Sequence, residues 1–317
     1  MINKRKAFIT GLKSHKLLSY EKKFLKKFQP WGIILFSRNI KSISQAKLLT
    51  SQIRKLFNDP KYPILIDQEG GRVNRLKNII SFDNLTAEYF GELYKKDKRK
   101  FNIIYNLFVD KTSYLLKLIG VNINTLPVLD LKAISSSNVI GDRSFSKNKK
   151  IVSDLGNLCI KLFEQNSIGT VIKHIPGHGL SKSDSHRRLP IINKNINFLL
   201  KNDFKCFKNT QSKFAMTAHI LFNKIDSNNC ATHSKKVIQN IIRKKIGFKG
   251  IIISDDISMK SLKYSLVKNA LKALNAGCNL VLYCEGRSSE SLKLLKKIPP
   301  IDEFTKKKTS EFYRFLR

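Results

Sequence analysis

The chain has 317 residues, of which 60 are Lys or Arg and 23 are Asp or Glu, so its formal net charge is +37. Hydrophobic residues make up 42% of the chain, as in globular proteins with a sizeable core. No apolar run of about 18 residues occurs and no long apolar segment follows the basic N-terminus, so we expect neither a membrane-spanning helix nor a signal peptide. The basic balance suggests nucleic-acid binding, but the lysines are scattered and no zinc-finger, KH or RRM signature occurs, so we predict no nucleic-acid partner.

In chain order, short β-branched or apolar segments recur and are separated by stretches with helical periodicity. The eight candidate strands are residues 7–10, 32–36, 63–66, 121–124, 169–172, 214–217, 250–253 and 280–283. Examples of the helical stretches are residues 44–57, 100–119, 149–165, 235–246 and 267–276. Gly120, Gly247 and Gly277 each follow a helical stretch and precede a strand, where a helix-terminating glycine is expected.

Eight strands alternating with helices predict an α/β protein with a (β/α)8 TIM-type barrel. A doubly wound open sheet is the alternative, but no glycine-rich phosphate motif follows the first strand. No Pro/Gly/Ser-rich linker divides the sequence. We therefore expect a single barrel domain over residues 1–317.

Polar clusters follow several of these strands, at the end where a barrel carries its active site. They are residues 67–75 after the third strand, 173–179 and 184–186 after the fifth, His219 after the sixth, and 254–256 after the seventh. Asp255 ends an apolar strand, so its carboxylate is predicted to point into the barrel mouth, where it can attack the anomeric carbon of a sugar. An acidic pair after a strand can also cap the next helix, and this interpretation applies more to Asp256 than to Asp255.

Asp184 and His186 lie two residues apart in a loop containing glycine and serine. They are either an exposed surface pair or a histidine general acid/base whose pKa and tautomer are set by the neighbouring carboxylate. Retaining glycosidases usually use two carboxylates, so the residues alone leave the identity of the acid/base open.

Lys173 and His174 are predicted to donate hydrogen bonds to substrate hydroxyls. Arg75 and Arg143 are predicted to clamp polar groups of the ligand, since a guanidinium is a rigid fork of donors, although a single arginine in so basic a chain can be a surface residue.

His174 and His178 have the spacing of a helical metal site, but Pro176 and Gly177 between them disfavour a helix. We therefore predict no metal site at these histidines.

The five cysteines are odd in number and widely spaced, and they form no CxxC pair. This pattern predicts free thiols in a reducing compartment.

Several longer motifs occur in a fixed order: GIILFSRN (32–39), IDQEGGRV (66–73), PVLDL (127–131), VIGDRSF (139–145), KHIPGHG (173–179), DSH (184–186) and SDDISM (254–259). With these motifs the chain resembles glycoside hydrolase family 3, and within it the single-domain β-N-acetylglucosaminidases of bacterial peptidoglycan recycling. The resemblance extends from about residue 7 to about residue 290.

The resemblance implies a role for each matching position. It implies that Asp255 is the nucleophile, that His186 paired with Asp184 is the acid/base, and that five residues bind substrate: Asp67, Arg75, Arg143, Lys173 and His174. The implied reaction is retaining hydrolysis of a terminal N-acetyl-β-D-glucosaminyl group from anhydro-muropeptides, by a cytoplasmic, monomeric enzyme without a cofactor.

Two alternatives to this function remain open. One is a phosphorylase that uses phosphate in place of water, since a histidine acid/base repels an anion less than a carboxylate does. The other is a basic nucleic-acid-binding protein with a vestigial barrel, for which binding would weaken steeply as salt rises.

Overall fold

A computed structural model of the chain describes residues 4–132, 139–181 and 188–316. Eight parallel strands close into a barrel in which each strand pairs with the next along the chain. The strands are β1 (Lys6–Gly11), β2 (Pro30–Leu35), β3 (Ile64–Ile66), β4 (Ile123–Asn124), β5 (Gly169–Ile175), β6 (Phe214–Thr217), β7 (Ile251–Asp256) and β8 (Leu280–Tyr283). The pairs Phe8–Val281 and Thr10–Tyr283 join β1 to β8 and complete the closure. The predicted TIM-type barrel is confirmed, and every predicted strand overlaps an observed one.

Helices occupy most of the connections between strands. They are α1 (Ser19–Phe28), α2 (Ile43–Phe57), α3 (Ala87–Lys96), α4 (Lys98–Leu118), α5 (Lys149–Gln165), α6 (Ile196–Lys201), α7 (Leu266–Ala276), α8 (Ser288–Lys297) and α9 (Glu303–Phe315). The segment Lys236–Ile246 is wound as a π-helix. Two further short strands, Ile191–Ile192 and Leu221–Phe222, pair with each other outside the barrel. The five stretches predicted to be helical all contain helix, and α5 has the predicted bounds.

Three glycines end helices as their positions in the sequence indicate. Gly120, Gly247 and Gly277 have φ values of 77°, 82° and 116°, in the left-handed region that favours glycine. Gly247 follows the π-helix and Gly277 follows α7, and each lies within four residues of the next strand. These glycines turn the chain from the outer helices back into the barrel.

The strand interiors are apolar because the packed barrel core covers one face and helices cover the other. The side chains of β2, β3 and β6 are buried throughout. Polar side chains enter this pattern near the carboxyl ends of the strands, at Lys173 and His174 in β5 and at Asp255 and Asp256 in β7. The chemistry-bearing residues therefore lie at the barrel mouth.

The opposite end of the barrel is covered by α9. Phe312 packs edge-on against Phe214 at the start of β6, with ring centroids 5.1 Å apart. The indole N–H of Trp31 at the start of β2 donates to Thr309 Oγ1 at 2.8 Å. A Cβ on Gly169 at the start of β5 would lie 2.8 Å from the Phe312 ring. This close packing leaves the carboxyl ends of the strands as the open end of the barrel.

Two expectations from composition concern membranes and disulfides. Among the described residues, no helix combines the length and the apolar character needed to cross a bilayer. All five cysteines are free thiols, and four of them are buried.

Candidate active site

The carboxyl ends of the strands surround a pocket of about 1000 Å³. Its lining includes six residues singled out from the sequence: Asp67, Arg75, Arg143, Lys173, His174 and Asp255. Asp184 and His186, the two remaining predicted site residues, lie outside the described residues. The fold thus brings together side chains that are up to 188 positions apart in the chain, Asp67 and Asp255 being the most distant pair.

Asp67, directly after β3, is held by three donors. The Lys173 ammonium and the Thr125 hydroxyl contact Oδ1, the latter at 2.7 Å, and Arg75 Nη2 contacts Oδ2 at 2.8 Å. Burial alone would raise the pKa of Asp67, but the nearby positive charges, Lys173 foremost, outweigh burial and hold the pKa well below its usual range. Asp67 is therefore an anion that can accept hydrogen bonds from sugar hydroxyls.

Glu69 is the second carboxylate of this cluster, and the sequence reasoning did not single it out. Arg143 donates to both of its oxygens, from Nε at 2.7 Å and from Nη2 at 2.8 Å. Lys173 Nζ lies 2.5 Å from Oε1. Burial opposes ionisation of Glu69, but Arg143 and Lys173 lower its pKa below the ordinary value. Its contacts orient the guanidinium of Arg143 and the ammonium of Lys173.

The cluster contains two carboxylates and three cations. Asp67 and Glu69 face Arg75, Arg143 and Lys173, and Lys173 bridges the two anions. Lys173 is only 2% exposed, and these carboxylates offset the cost of burying its ammonium group. The arrangement supplies both donors and acceptors to a polar, uncharged ligand such as a sugar ring.

His174 is oriented by a buried carboxylate that the sequence reasoning also missed. Asp130, beyond β4, accepts from His174 Nδ1 at 2.7 Å and from the His174 backbone N–H at 3.1 Å. It also accepts the backbone N–H of His178 at 2.6 Å. Because Nδ1 donates to Asp130, the other ring nitrogen of His174 is available to the pocket. Asp130 lies in the motif at 127–131 and near a strand end, and this position was the available signal.

Asp255 and Asp256 end β7 but have different surroundings. Asp255 lines the pocket and accepts the Asp256 backbone N–H at 2.8 Å. Asp256 accepts the Ser258 hydroxyl at 2.8 Å, the Ser258 N–H at 3.1 Å and the Cys284 N–H at 3.3 Å. Asp256 therefore stabilises the turn after β7 and does not cap the next helix, whose N-cap is Ser265, whereas the Asp255 carboxylate faces the pocket.

His219 supports the end of β7 and does not line the pocket. Its Nε2 donates to the Asp256 carbonyl at 3.0 Å, and its Nδ1 lies 2.7 Å from the Thr232 hydroxyl oxygen. Burial lowers the pKa of His219, which favours the neutral ring. His219 thus fixes the backbone next to Asp255.

Within residues 4–132, 139–181 and 188–316, no three His, Cys, Asp or Glu side chains come together as a metal site would require. His174 and His178 approach each other with ring centroids 5.6 Å apart. His174 lies in β5 and His178 lies in the turn after it, so the two do not share the helix that their spacing alone would suit.

The lining of the pocket also has apolar members. Phe36, after β2, has the Arg75 guanidinium 5.3 Å from the centre of its ring, and Met216 and Leu282 contribute from other strands. The pocket therefore combines polar and apolar side chains, as small-molecule sites do.

Comparison with known proteins identifies a family. The model of the glycosyl hydrolase family 3 N-terminal domain matches residues 8–308. A β-hexosaminidase of Methylobacillus flagellatus is 32% identical over 273 residues, which cover 84% of this chain and 77% of that protein. A β-hexosaminidase of Nitrosomonas eutropha is 35% identical over 264 residues, covering 81% of this chain and 74% of that protein.

Solved structures give the same result for the fold. The crystal structure of NagZ from Neisseria gonorrhoeae in complex with N-trifluoroacetyl-D-glucosamine superimposes with a TM-score of 0.87 at 28% identity, covering 97% of this chain and 90% of that chain. A family 3 β-N-acetylglucosaminidase from Paenibacillus has a TM-score of 0.84 at 25% identity, over 98% of this chain and 60% of that chain.

Proposed function

The chain belongs to glycosyl hydrolase family 3 as a β-hexosaminidase of that family, and from this premise we propose that it hydrolyses terminal N-acetyl-β-D-glucosaminides with retention of configuration. Asp255 is the nucleophile in this proposal, and the Asp184–His186 pair is the general acid/base. The observation that carries it is the placement of the Asp255 carboxylate in one pocket with Asp67, Lys173 and His174.

The contacts of the described residues support a separate role in substrate binding for each side chain. Asp67 accepts hydrogen bonds from sugar hydroxyls and Lys173 donates to them, while His174 presents its other ring nitrogen to the sugar, with Arg75 and Arg143 at the polar rim. These contacts hold the anomeric carbon opposite Asp255, and holding the reacting atoms in place accounts for a large part of the rate enhancement of enzymes.

In the first step the Asp255 carboxylate attacks C1 while His186 gives a proton to the departing oxygen. A covalent glycosyl-enzyme forms, and the leaving group departs as an alcohol. In the second step His186 takes a proton from water as the water attacks C1 and releases Asp255. Two inversions at C1 give overall retention.

The proposed substrate is an N-acetylglucosamine-containing fragment of peptidoglycan, an anhydro-muropeptide. The similar NagZ structure with N-trifluoroacetyl-D-glucosamine supports recognition of an N-acylated glucosamine. We further propose that the enzyme is a single catalytic domain that acts as a cytoplasmic monomer without a cofactor.

The test is release of 4-nitrophenol from 4-nitrophenyl N-acetyl-β-D-glucosaminide. Asp255→Asn keeps the shape of the side chain but removes the nucleophile, and we expect its kcat to fall by about 10³-fold or more. Asp154→Asn, an exposed carboxylate on α5 that pairs with Lys150, is the matched control and should keep wild-type activity. Undiminished activity of Asp255→Asn would remove Asp255 from the mechanism.

Product analysis by NMR tests the stereochemistry and the acceptor. Retention predicts that the β-anomer of N-acetylglucosamine appears first. In phosphate buffer the same product is expected, and N-acetylglucosamine 1-phosphate would instead identify a phosphorylase.

A further inference from the structure

A carboxyl group that the proposed mechanism does not use lies beneath the turn that follows β5. Asp203 begins the short 3₁₀ turn Asp203–Phe207 and is 1% exposed. Neither of its carboxyl oxygens has a hydrogen-bond partner of regular geometry among the described residues, and both are buried. Burying a carboxyl group without such partners costs free energy of folding, so the presence of Asp203 at this position calls for a physical reason.

The turn at residues 177–180 is in direct contact with Asp203. A Cβ on Gly177 would lie 2.7 Å from Asp203 Cβ, and a Cβ on Gly179 would lie 3.0 Å from Asp203 Oδ1. On its other side Gly179 packs so closely on the Leu131 carbonyl that a Cβ would overlap it. The turn is therefore held between Asp203 and the segment that follows β4, with no room for a side chain.

Two carboxyl groups face consecutive N–H groups of this turn. Asp130 accepts the N–H of His178 at 2.6 Å. The N–H groups of Gly179 and Leu180 face Asp203 closely enough to lower its pKa. Asp130 and Asp203 thus lie opposite three successive backbone N–H groups, those of residues 178–180. This arrangement defines the path of the chain as it leaves β5.

Burial raises the pKa of Asp203, and the Asp130 carboxylate raises it further, to about 7. Other titratable groups nearby include His178 in the turn, whose pKa burial lowers to about 4 so that its ring is neutral, Cys206, and Lys149, which lies close to Cys206. Burial raises the pKa of the Cys206 thiol to about 12, so this thiol stays neutral, and the Lys149 ammonium donates to the Lys201 carbonyl at 2.9 Å. Asp130 is therefore the charged neighbour that opposes ionisation of Asp203.

We propose that Asp203 is a positioning residue for the hydrolysis: it supports the turn at 177–180, from which the sequence continues to Asp184 and His186. This inference rests on the proposed function. Asp203 does not touch substrate in this account, and it acts through the direction that it gives to the chain after Leu180. Removing its support therefore impairs proton transfer to the leaving group and leaves the binding of the sugar ring by Asp67 and Lys173 intact.

The experiment compares two substrates that differ in their need for a proton. N,N′-diacetylchitobiose has a poor leaving group that requires general-acid assistance, whereas 4-nitrophenyl N-acetyl-β-D-glucosaminide needs little. For Asp203→Asn we expect kcat/KM to fall about 10- to 100-fold on the disaccharide and about 3-fold or less on the 4-nitrophenyl glycoside. In the double variant with His186→Ala, the disaccharide defect should not exceed that of His186→Ala alone.

Two further variants keep the result interpretable. Asp203→Glu retains the carboxyl group but moves it by one methylene, and we expect the same substrate-dependent loss from it. This second variant keeps the test valid if Asp203→Asn fails to fold. Asp59→Asn removes a buried carboxylate at the opposite end of the barrel, bonded to Arg5, and controls for general destabilisation. It should affect the two substrates equally.

The outcomes separate this inference from the function on which it rests. A wild-type enzyme that hydrolyses neither substrate overturns the proposed function. An active wild type in which both Asp203 variants lose activity equally on the two substrates, or lose none, overturns the positioning role alone.

Discussion

Replacing Lys173 by methionine tests whether the charge cluster in the pocket is also a structural element. The ammonium of Lys173 contacts Asp67, Glu69 at 2.5 Å and the Thr125 hydroxyl at 3.3 Å, in a side chain that is 2% exposed. Methionine keeps much of the apolar stem and removes the charge. The variant therefore leaves two buried carboxylates with one fewer cation between them.

The expected loss of stability follows from the partners that remain. Removing one member of a buried ion pair costs about 3–5 kcal/mol, because the other charge stays buried without compensation. Asp67 still has Arg75 at 2.8 Å, and Glu69 still has both bonds to Arg143. We therefore expect the lower end of that range, about 3 kcal/mol.

The free energy of unfolding of both proteins in urea at pH 7 measures this loss. Lys213→Met is the matched control, since Lys213 pairs with Glu164 at 2.6 Å but is 29% exposed, so solvent screens this pair and its loss should cost less than the loss of the buried Lys173 contacts. The pKa values of Asp67 and Glu69 are lowered in the folded state. Their stabilisation is therefore present above about pH 4 and is lost as the pH falls further, so the difference between wild type and variant should shrink there. A loss at pH 7 no larger than that of Lys213→Met would refute this reasoning.

Three further outcomes are expected. Gly179→Ala should lower the melting temperature and the kcat on N,N′-diacetylchitobiose, because its Cβ would overlap the Leu131 carbonyl and displace the turn. Thermal melts and assays with the disaccharide measure these effects, and wild-type values for both would show that the turn has room. Tyr313→Phe removes a 2.6 Å hydrogen bond to Asp59 and should cost about 1–3 kcal/mol in urea unfolding, since the bond is to a charged group; no change would contradict this. Asp203 has a raised pKa, so its folded form binds a proton more tightly than the unfolded chain does, and stability falls as pH rises from about 4 to about 7. That part of the pH dependence should be absent from unfolding curves of Asp203→Asn, and its persistence would assign it to another group.

The fold was predictable because the spacing of apolar residues along the sequence shows which face of each helix or strand is buried. α5 has the predicted bounds, and its N-cap Asn148 accepts the Lys150 N–H at 2.9 Å. The π-helix at Lys236–Ile246 was not foreseen, because the same apolar positions suit either backbone hydrogen-bond pattern. The fourth strand is shorter than predicted, since the N–H of Val121 bonds to Leu116 at the end of α4 and not to a neighbouring strand.

The site was predictable where a residue type and a strand end coincide. Asp255 and Lys173 meet both conditions, and the structure places both in the pocket. Glu69 and Asp130 were missed because their partners lie far away in sequence: Arg143 is 74 positions from Glu69, and His174 is 44 positions from Asp130. No local pattern encodes such a pair, and only the closed barrel brings its members together.

Burial also shows which of the many basic residues have a defined structural role. Among the Lys and Arg residues in the described ranges, Arg5 and Lys173 are the two that are almost fully buried, each 2% exposed. Arg5 pairs with Asp59 at the closed end of the barrel, and Lys173 pairs with Asp67 and Glu69 at its mouth. An exposed lysine can be gained at little cost, whereas a buried cation requires carboxylate partners in place. The net charge of +37 is therefore a property of the surface, and the chemistry of the pocket depends on a cluster in which nearly every charge is matched.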